Sequence, residues 1–260
     1  MNSTGSLPAY NKCFNVVFDN GHTAKAIRIA EASDTLEAIK QLGFDRHYPV
    51  IFVSGGASNM SQEDRELTRE MVESVCDFAI SNNAMIVDGG TESGIMQMLG
   101  DVRLKLDKAF PLVGVSPMGK VSYPGYKNPN EEAFLEDSHS HFVLVDGKKW
   151  GDESTTILAL ADLISGKGKK PAVGVLINGG KIAMHEIYLA TTSKRRISII
   201  VLEGSGRAAD DISTAFRTGK ANQRILQAIL SGGDIQLVGT LEGPQAMRDR
   251  LAAKFNAKSE

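Results

Sequence analysis

The sequence has little cysteine and no long apolar run. Its only two cysteines, Cys13 and Cys76, do not have CxxC spacing, which argues against a structural disulfide or zinc site and fits a reducing compartment. No apolar stretch approaches the roughly 18 residues of a membrane span, and the N-terminus lacks the apolar core of a signal peptide. We therefore expect a cytoplasmic protein that does not insert into membranes.

An excess of charge of one sign is also missing. The formal net charge is −2, with 23% charged and 42% hydrophobic residues, which is the balance of an ordinary globular domain. Such a chain has no general attraction for nucleic acids or anionic membranes. Any basic binding site must therefore be local.

Several well-known motifs are absent. The sequence has no GxxxxGK[ST] P-loop, no GxSxG elbow and no GxGxxG after its first core strand. His139 and His141 could face the same way on a strand, but no constellation of cysteines or carboxylates joins them by spacing. No metal site is predicted.

Short apolar runs that end in glycine recur along the chain. Residues 50–53 and 85–87 end at Gly-Gly pairs, 172–177 at Asn-Gly-Gly, and 197–202 at Glu-Gly-Ser-Gly. Helical patterns follow these turns, and parallel strands joined by right-handed helical crossovers bring their carboxyl ends to one edge of a sheet. The prediction is a Rossmann-like α/β fold: a mainly parallel sheet with helices on both faces.

Two further segments complete the predicted organisation. Residues 1–11 are polar and expected to be disordered or loosely held, and 13–18 and 24–29 read as an N-terminal strand pair around an Asn-Gly turn. Residues 117–140 hold three prolines and no clear period, which is typical of a functional or mobile loop. Without a repeat or linker, residues 12–260 are predicted to be a single domain.

The glycine turns point to an anionic ligand. Glycine lets another molecule approach the backbone, and backbone N–H groups at helix starts favour anions. Arg207 follows the last turn, and a guanidinium binds phosphate oxygens through a bidentate fork. The alternatives are that the glycines only turn the chain and that Arg207 pairs with Asp210 or Asp211.

Four stretches carry a resemblance to a known family. Residues 87–101 (VDGGTESGIMQMLGD), 139–147 (HSHFVLVDG), 176–187 (LINGGKIAMHEI) and 201–212 (VLEGSGRAADDI) resemble the nucleotide-sensing SLOG superfamily. The branch is the N-terminal ligand-binding domain of the melastatin-type (TRPM) cation channels, in a stand-alone prokaryotic form. The resemblance covers roughly residues 48 to 215.

The resemblance implies a module that binds nucleotide-derived ligands, ADP-ribose being the type case in some channels. It places Trp150 beside the site, as a surface for a base. At about Ile157 the channel pattern has a basic contact that this chain lacks, so the ligand stays open. Together, the turns and the resemblance predict these ligand contacts: Gly55, Gly56, Gly89, Gly90, Thr91, Gly94, Trp150, Gly179, Gly180, Gly204, Ser205, Gly206 and Arg207.

The superfamily also contains the LOG phosphoribohydrolases, which carry PGGxGTxxE after the equivalent strand. Residues 178–186 read NGGKIAMHE, so both glycines and Glu186 match while the second Gly-Thr is replaced. Glu186 is the candidate catalytic carboxylate of an N-glycosidic hydrolase, and the alternative is a carboxylate favoured by the helix dipole. DNA binding, as in the related DprA proteins, fits poorly with the acidic balance.

The main expectation is therefore a sensor that binds a nucleotide or nucleotide-sugar diphosphate. It requires no cofactor beyond that ligand. An effector protein and a homo-oligomer are both compatible with it, whereas nucleic acid and membrane partners are not expected.

Overall fold

The computed structural model describes residues 7–106 and 110–257. The strands are β1 (Cys13–Val17), β2 (Thr23–Ile29), β3 (Val50–Gly55), β4 (Met85–Asp88), β5 (Leu112–Pro117), β6 (Val121–Ser122), β7 (Ala133–Phe134), β8 (His141–Val145), β9 (Ala172–Ile177), β10 (Ser198–Glu203) and β11 (Ile235–Gly239). The helices are α1 (Thr35–Leu42), α2 (Gln62–Ser81), α3 (Gly94–Lys105), α4 (Ser154–Ile164), α5 (Lys181–Thr192), α6 (Arg207–Thr218), α7 (Arg224–Gly232) and α8 (Pro244–Asn256).

Nine strands form one sheet in the order β1-β2-β8-β5-β4-β3-β9-β10-β11. Only β1 is antiparallel to its neighbour; the other pairs in this sheet are parallel. After β3, the strands β4, β5 and β8 are added in turn on one side of β3. The chain then crosses to β9, which pairs with β3 on its other side. The strand order therefore reverses at β3 and β9, which is where open α/β sheets bind ligands.

Alternate residues of a strand enter different cores on the two faces of the sheet, because successive side chains point to opposite faces. In β3, Val50 and Phe52 join the core under α1, α4, α5, α6 and α7. Ile51 and Val53 join the core under α2, α3 and α8. The predicted Rossmann-like fold with helices on both faces is confirmed.

The predicted N-terminal strand pair is confirmed as an antiparallel hairpin, β1–β2, whose second strand pairs with β8. Residues 7–11 lie beside it: Tyr10 donates to Asp146 and receives a bond from Arg28, which also stacks on its ring. The part of the N-terminal expectation that concerns residues 1–6 lies outside the described residues.

The segment 117–140 packs against the sheet. It contains the small β6–β7 pair, and Val121, Tyr123 and Leu135 are buried beside β1, β2 and β8. Buried Asn128 ties the segment together by donating to Met118 O at 2.9 Å. In the part of the chain that the structure describes, no helix is long and apolar enough to cross a membrane.

Candidate functional site

A cleft of about 760 Å³ opens at the carboxyl ends of β3, β4 and β9. It therefore coincides with the reversal of strand order, and the turns after these three strands form its rim. The residues that line it are Val53, Ser54, Gly55, Gly56, Ala57, Ser58, Arg65, Gly89, Thr91, Ser93, Gly94, Met96, Trp150, Glu153, Ile157, Gly180, Lys181, Ile182, Ala183, Glu186 and Arg207.

Four helices begin at this cleft. Their first or preceding residues are Gly94 for α3, Glu153 for α4, Gly180 for α5 and Arg207 for α6, and all four line the wall. Helix N-termini carry unpaired N–H groups and the positive end of the helix dipole. The helix starts thus make this part of the cleft suitable for an anion.

Three cationic side chains also line the cleft, namely Arg65, Lys181 and Arg207. Within residues 7–106 and 110–257, none of the three forms an ion pair, and Arg65 donates only to Ala57 O at 3.2 Å. Among the described residues Arg207 pairs with neither Asp210 nor Asp211, and the Asp210 carboxylate instead accepts from Gly204 N at 2.7 Å. Positive charge in the cleft is therefore available to a ligand.

The cleft also has an acidic wall. Glu186 on α5 is buried, and its carboxylate accepts hydrogen bonds from the hydroxyls of Ser54 and of Ser154, the latter at 3.0 Å. Burial raises the pKa of Glu186 above its ordinary value, while the two serine hydroxyls act in the opposite direction. Burial and the nearby charge of Glu186 raise the pKa of Glu153 to about 7.

The structure brings most of the predicted contacts to this one cleft. Of the residues predicted from sequence, those on its wall are Gly55, Gly56, Gly89, Thr91, Gly94, Trp150, Gly180, Glu186 and Arg207. Those outside its wall are Gly90, Gly179, Gly204, Ser205 and Gly206. The second group supports the turns from behind.

Gly90 shows what this supporting role requires. Its φ is +66°, and a Cβ at this position would lie 2.6 Å from Gly114 Cα on the neighbouring strand β5. A side chain here would therefore push β4 and β5 apart. A substitution such as Gly90→Val would therefore disturb the fold as well as the site, because the space behind Gly90 is filled by backbone.

The turns after β9 and β10 are held together by Asn178. Its backbone N–H donates to Ser205 Oγ at 2.7 Å, and its side-chain amide donates to Ser205 O and to Ser58 O. A Cβ on Gly206 would lie 2.9 Å from this amide, and one on Gly204 would meet Thr240. These residues thus fix the position at which α6 starts with Arg207.

The turn after β4 is held by a buried ionic network. His139 lies between two carboxylates: its Nε2 is 2.9 Å from Asp88 Oδ1, and its Nδ1 is 2.6 Å from Glu136 Oε2. Burial alone would lower the pKa of His139, but the charges of Asp88 and Glu136 outweigh it and raise the pKa to about 9. Asp88 Oδ1 also accepts from Gly90 N at 2.7 Å, so a protonated His139 fixes the shape of this turn.

The two histidines of residues 139–141 do not share a site. His141, on β8, packs its ring 4.7 Å from that of Phe44 and bonds Ser140 Oγ. Among the described residues no group of three or more histidine, cysteine or acidic side chains is arranged to hold a metal ion.

Trp150 lies half-buried at the cleft, where the resemblance placed it. Its indole N–H donates to Glu132 Oε2 at 2.6 Å, and Glu132 also pairs with Lys120. These bonds fix the indole without using its ring faces.

Sequence reasoning missed the serines and Glu153 of the acidic wall, the cations Arg65 and Lys181, and the network around His139. Some of these had a readable signal. Ser54 lies near the end of β3, directly before Gly55-Gly56, and Glu136 lies three positions before His139. No sequence signal marks Arg65 as a cleft residue, because it looks like one of the charged residues on the exposed face of α2.

Comparison with known proteins agrees with this geometry. A family model described as "SLOG in TRPM, prokaryote" matches residues 48–248. The Drosophila melanogaster transient receptor potential cation channel trpm is 24% identical over 221 residues, which cover 74% of this chain and 11% of the channel. For Rattus norvegicus transient receptor potential cation channel subfamily M member 2 the identity is 26% over 228 residues, covering 73% of this chain and 15% of the channel.

The chain thus spans 11% of the length of the fly channel and 15% of the length of the rat channel. The mouse member 1 channel is similarly related, at 25% identity over 76% of this chain and 14% of the channel. The family model, by contrast, extends from β3 to α8 and includes every turn of the cleft. The protein belongs to the SLOG family of TRPM type, in its prokaryotic branch.

Proposed function

We propose that the chain is a sensor that binds a nucleotide-derived diphosphate, such as ADP-ribose or an NAD-derived compound, in the cleft at β3 and β9. Membership of the SLOG family in TRPM indicates a ligand-binding or sensing module. The nature of the ligand is the proposal. The observation that carries it is that Arg65, Lys181 and Arg207 line the cleft together with four helix starts and form no ion pair within the described residues.

The chemistry of the wall supports this ligand class. Phosphate oxygens are matched by helix N–H groups and by the fork of an arginine, which Gly180, Lys181 and Arg207 offer side by side. An aromatic ring for a base is available at Trp150, and Ile182 and Ile157 add apolar surface. The volume of about 760 Å³ lies within the usual range for a small-molecule site.

The proposal includes a cytoplasmic location, since Cys13 and Cys76 are both unpaired. A sensor also needs something that reads its state. An effector protein or a second copy of the chain would fill that role.

The experiment is a thermal-shift titration with ADP-ribose, ADP, NAD and inorganic pyrophosphate at two salt concentrations. A ligand that binds only the folded state stabilises it by about 2.7 kcal/mol at a hundredfold excess over Kd. We expect a rise in Tm with at least the adenine diphosphates, and a smaller rise at high salt because the contacts are ionic. No shift with any of the four compounds would contradict the proposal.

A second candidate function is hydrolysis of the N-glycosidic bond of such a ligand. The acidic wall favours it, because Glu186 and Glu153 are buried carboxyls with raised pKa values at the cleft, and carboxyl pairs of this kind stabilise oxocarbenium-like transition states and move protons. Water would attack the anomeric carbon while the C–N bond breaks and the base leaves. Glu186→Gln should then lower turnover by a few orders of magnitude and keep affinity.

Product analysis of the same titration samples separates the two functions. Release of a free base or ribosyl phosphate, lost in Glu186→Gln, would identify a hydrolase. A stable complex that returns intact ligand on denaturation would identify a sensor.

A further inference from the structure

Glu153 is a buried acid at the cleft whose carboxylate has backbone donors only. It directly precedes α4, is 5% exposed and lines the cleft. Its Oε2 accepts from Gly151 N at 2.8 Å, and the backbone N–H of Glu153 itself is a second donor to the carboxylate. Within the part of the chain that the structure describes, no side-chain donor bonds this carboxylate and no cation pairs with it. Side-chain recognition by the protein is therefore missing at an acid that faces the cleft.

The neighbouring acid is in a different state. Both oxygens of Glu186 already accept hydrogen bonds, one from Ser54 and one from Ser154. The two serine hydroxyls are therefore engaged. Of the two carboxyls on this wall, Glu186 is held by two side-chain donors, whereas Glu153 has no side-chain donor among the described residues and is the better placed to bind another molecule.

Trp150 and Glu153 line the cleft from one short segment, residues 150–153, and contacts lead from this segment along the wall to the cations. Gly151, beside Trp150, lies against Ile182: a Cβ on Gly151 would be 3.8 Å from Ile182 Cγ1. Ile182 belongs to the first turn of α5, and that turn begins at Gly180, where a Cβ would be 2.7 Å from Arg207 Nη2. A nucleotide has its ribose between base and phosphate, so a base at Trp150 and phosphates at Arg207 would bring the ribose to the part of the wall that carries Glu153.

We infer that Glu153 Oε1 accepts a hydrogen bond from a ribose hydroxyl of the bound nucleotide, so that the cleft selects ribonucleotides with free 2′- and 3′-hydroxyls. The inference rests on the proposed function and adds the part of the ligand that the acidic wall recognises. An O–H···carboxylate bond is short and stronger than a neutral one. A divalent cation is the other partner that an open carboxylate oxygen can take, and the experiment distinguishes it.

The experiment compares ADP with 2′,3′-dideoxy-ADP, which differ only in the two hydroxyls. Affinities are measured for the wild type, Glu153→Gln and the control Glu92→Gln, an exposed acid outside the cleft wall. In the wild type and the control we expect the dideoxy compound to bind about tenfold more weakly, which corresponds to about 1.4 kcal/mol. In Glu153→Gln this difference should largely disappear, as a double-mutant cycle requires for a direct contact.

The pH dependence gives a second readout that needs no variant. Glu153 has a pKa of about 7, so the ADP/dideoxy-ADP affinity ratio should rise as the pH rises through this value and the carboxylate forms. Both compounds carry the same phosphates, so titration of the phosphates changes both affinities equally and does not change their ratio. The charged groups that face Glu153 or line the cleft with it are Glu186, Asp152, Arg65, Lys181 and Arg207.

Several outcomes would overturn the inference while the proposed function stands. They are equal binding of ADP and its dideoxy form by the wild type, an undiminished difference in a folded Glu153→Gln protein, and binding of ADP-ribose but not ADP. A rise in Tm with Mg²⁺ alone that Glu153→Gln abolishes would assign Glu153 to a cation instead. If ADP, ADP-ribose, NAD and pyrophosphate all fail to bind the wild type, the proposed function itself is contradicted.

Discussion

The turns after β4 and β9 share a Gly-Gly pair but are held in different ways. Behind the β4 turn, Asp88, His139 and Glu136 form a fully internal ionic network. Behind the β9 turn, Asn178 forms neutral hydrogen bonds to backbone and serine. The charges of the first turn interact within the protein, whereas the second turn places Arg207 at the cleft, where it forms no ion pair with any described residue.

The difference shows how one edge of a sheet can be both rigid and open to a ligand. A buried ionic network is costly to break but adds little to binding, because its charged groups interact with one another rather than with a ligand. A guanidinium at a helix start, held by neutral neighbours, keeps its charge for another molecule. We therefore expect mutations at the β4 turn to reduce stability and mutations at the β9 turn to reduce affinity.

The largest effect should come from His139→Ala. Removing the imidazole leaves the Asp88 and Glu136 carboxylates buried without their cation, and breaking a buried pair in this way costs about 3–5 kcal/mol. Urea unfolding measures the loss. His185→Ala is the control, because His185 is exposed on α5 and should cost less than about 1 kcal/mol. Similar losses of unfolding free energy in both variants would mean that the network stabilises the fold no more than an exposed histidine does.

The same network should make stability depend on pH. The pKa of His139 is about 9 in the folded protein, above the ordinary value of 6.5, so its protonation favours the folded state. The stabilisation is complete below pH 6.5 and is lost as the pH rises through about 9. The difference in unfolding free energy between the wild type and His139→Gln should therefore shrink over this window. A constant difference would show that His139 is neutral when folded.

These two expectations could not be read from the sequence, although much of the fold could. The apolar run 172–177 is β9 with the predicted bounds. Such signals are local. By contrast, Asp88 and His139 are 51 positions apart, and only the packing of β4, β5 and β8 brings them together.

The site was predictable to the same extent. Sequence located the turns, because glycine after a buried strand is a local pattern, and it identified Glu186 and Arg207 as lining candidates. It could not separate Gly56, which meets nothing within 4 Å, from Gly90, which faces the backbone of Gly114. That distinction depends on how closely the neighbouring strand approaches, and single-residue patterns do not record this distance.

At the β9 turn, Arg207→Ala should weaken ADP-ribose binding by on the order of 2 kcal/mol, because the ligand loses a charged contact. The ADP-ribose affinity of Arg207→Lys should lie between those of the wild type and Arg207→Ala, since an ammonium group keeps the charge but cannot form the bidentate fork. The Tm without ligand should barely move. Arg217→Ala on the same helix is the control: its pair with Glu203 is exposed, so affinity should not change. Normal binding by an Arg207→Ala protein that melts lower would make this arginine structural.

The smallest effect, and the one that tests the β9 turn most directly, should come from Gly180→Ala. The new methyl group would lie 2.7 Å from Arg207 Nη2, and the backbone at Gly180 is extended, with φ −116°. Because the guanidinium is the end of a flexible side chain, it should move while the fold stays, and ADP-ribose affinity should fall by about 1 kcal/mol as the fork is misplaced. Gly56→Ala, where a methyl group meets open space, is the matched control for stability.

The cause of that loss can be isolated in an Arg207→Ala background. If Gly180→Ala acts by displacing the guanidinium, its effect on affinity should vanish once the guanidinium is gone, because the two changes then remove the same contact. An undiminished loss in that background would mean that the ligand touches Gly180 itself. The phosphate would then lie on the start of α5, with Arg207 outside its reach, and the contrast between the two turns would have to rest on backbone N–H groups alone.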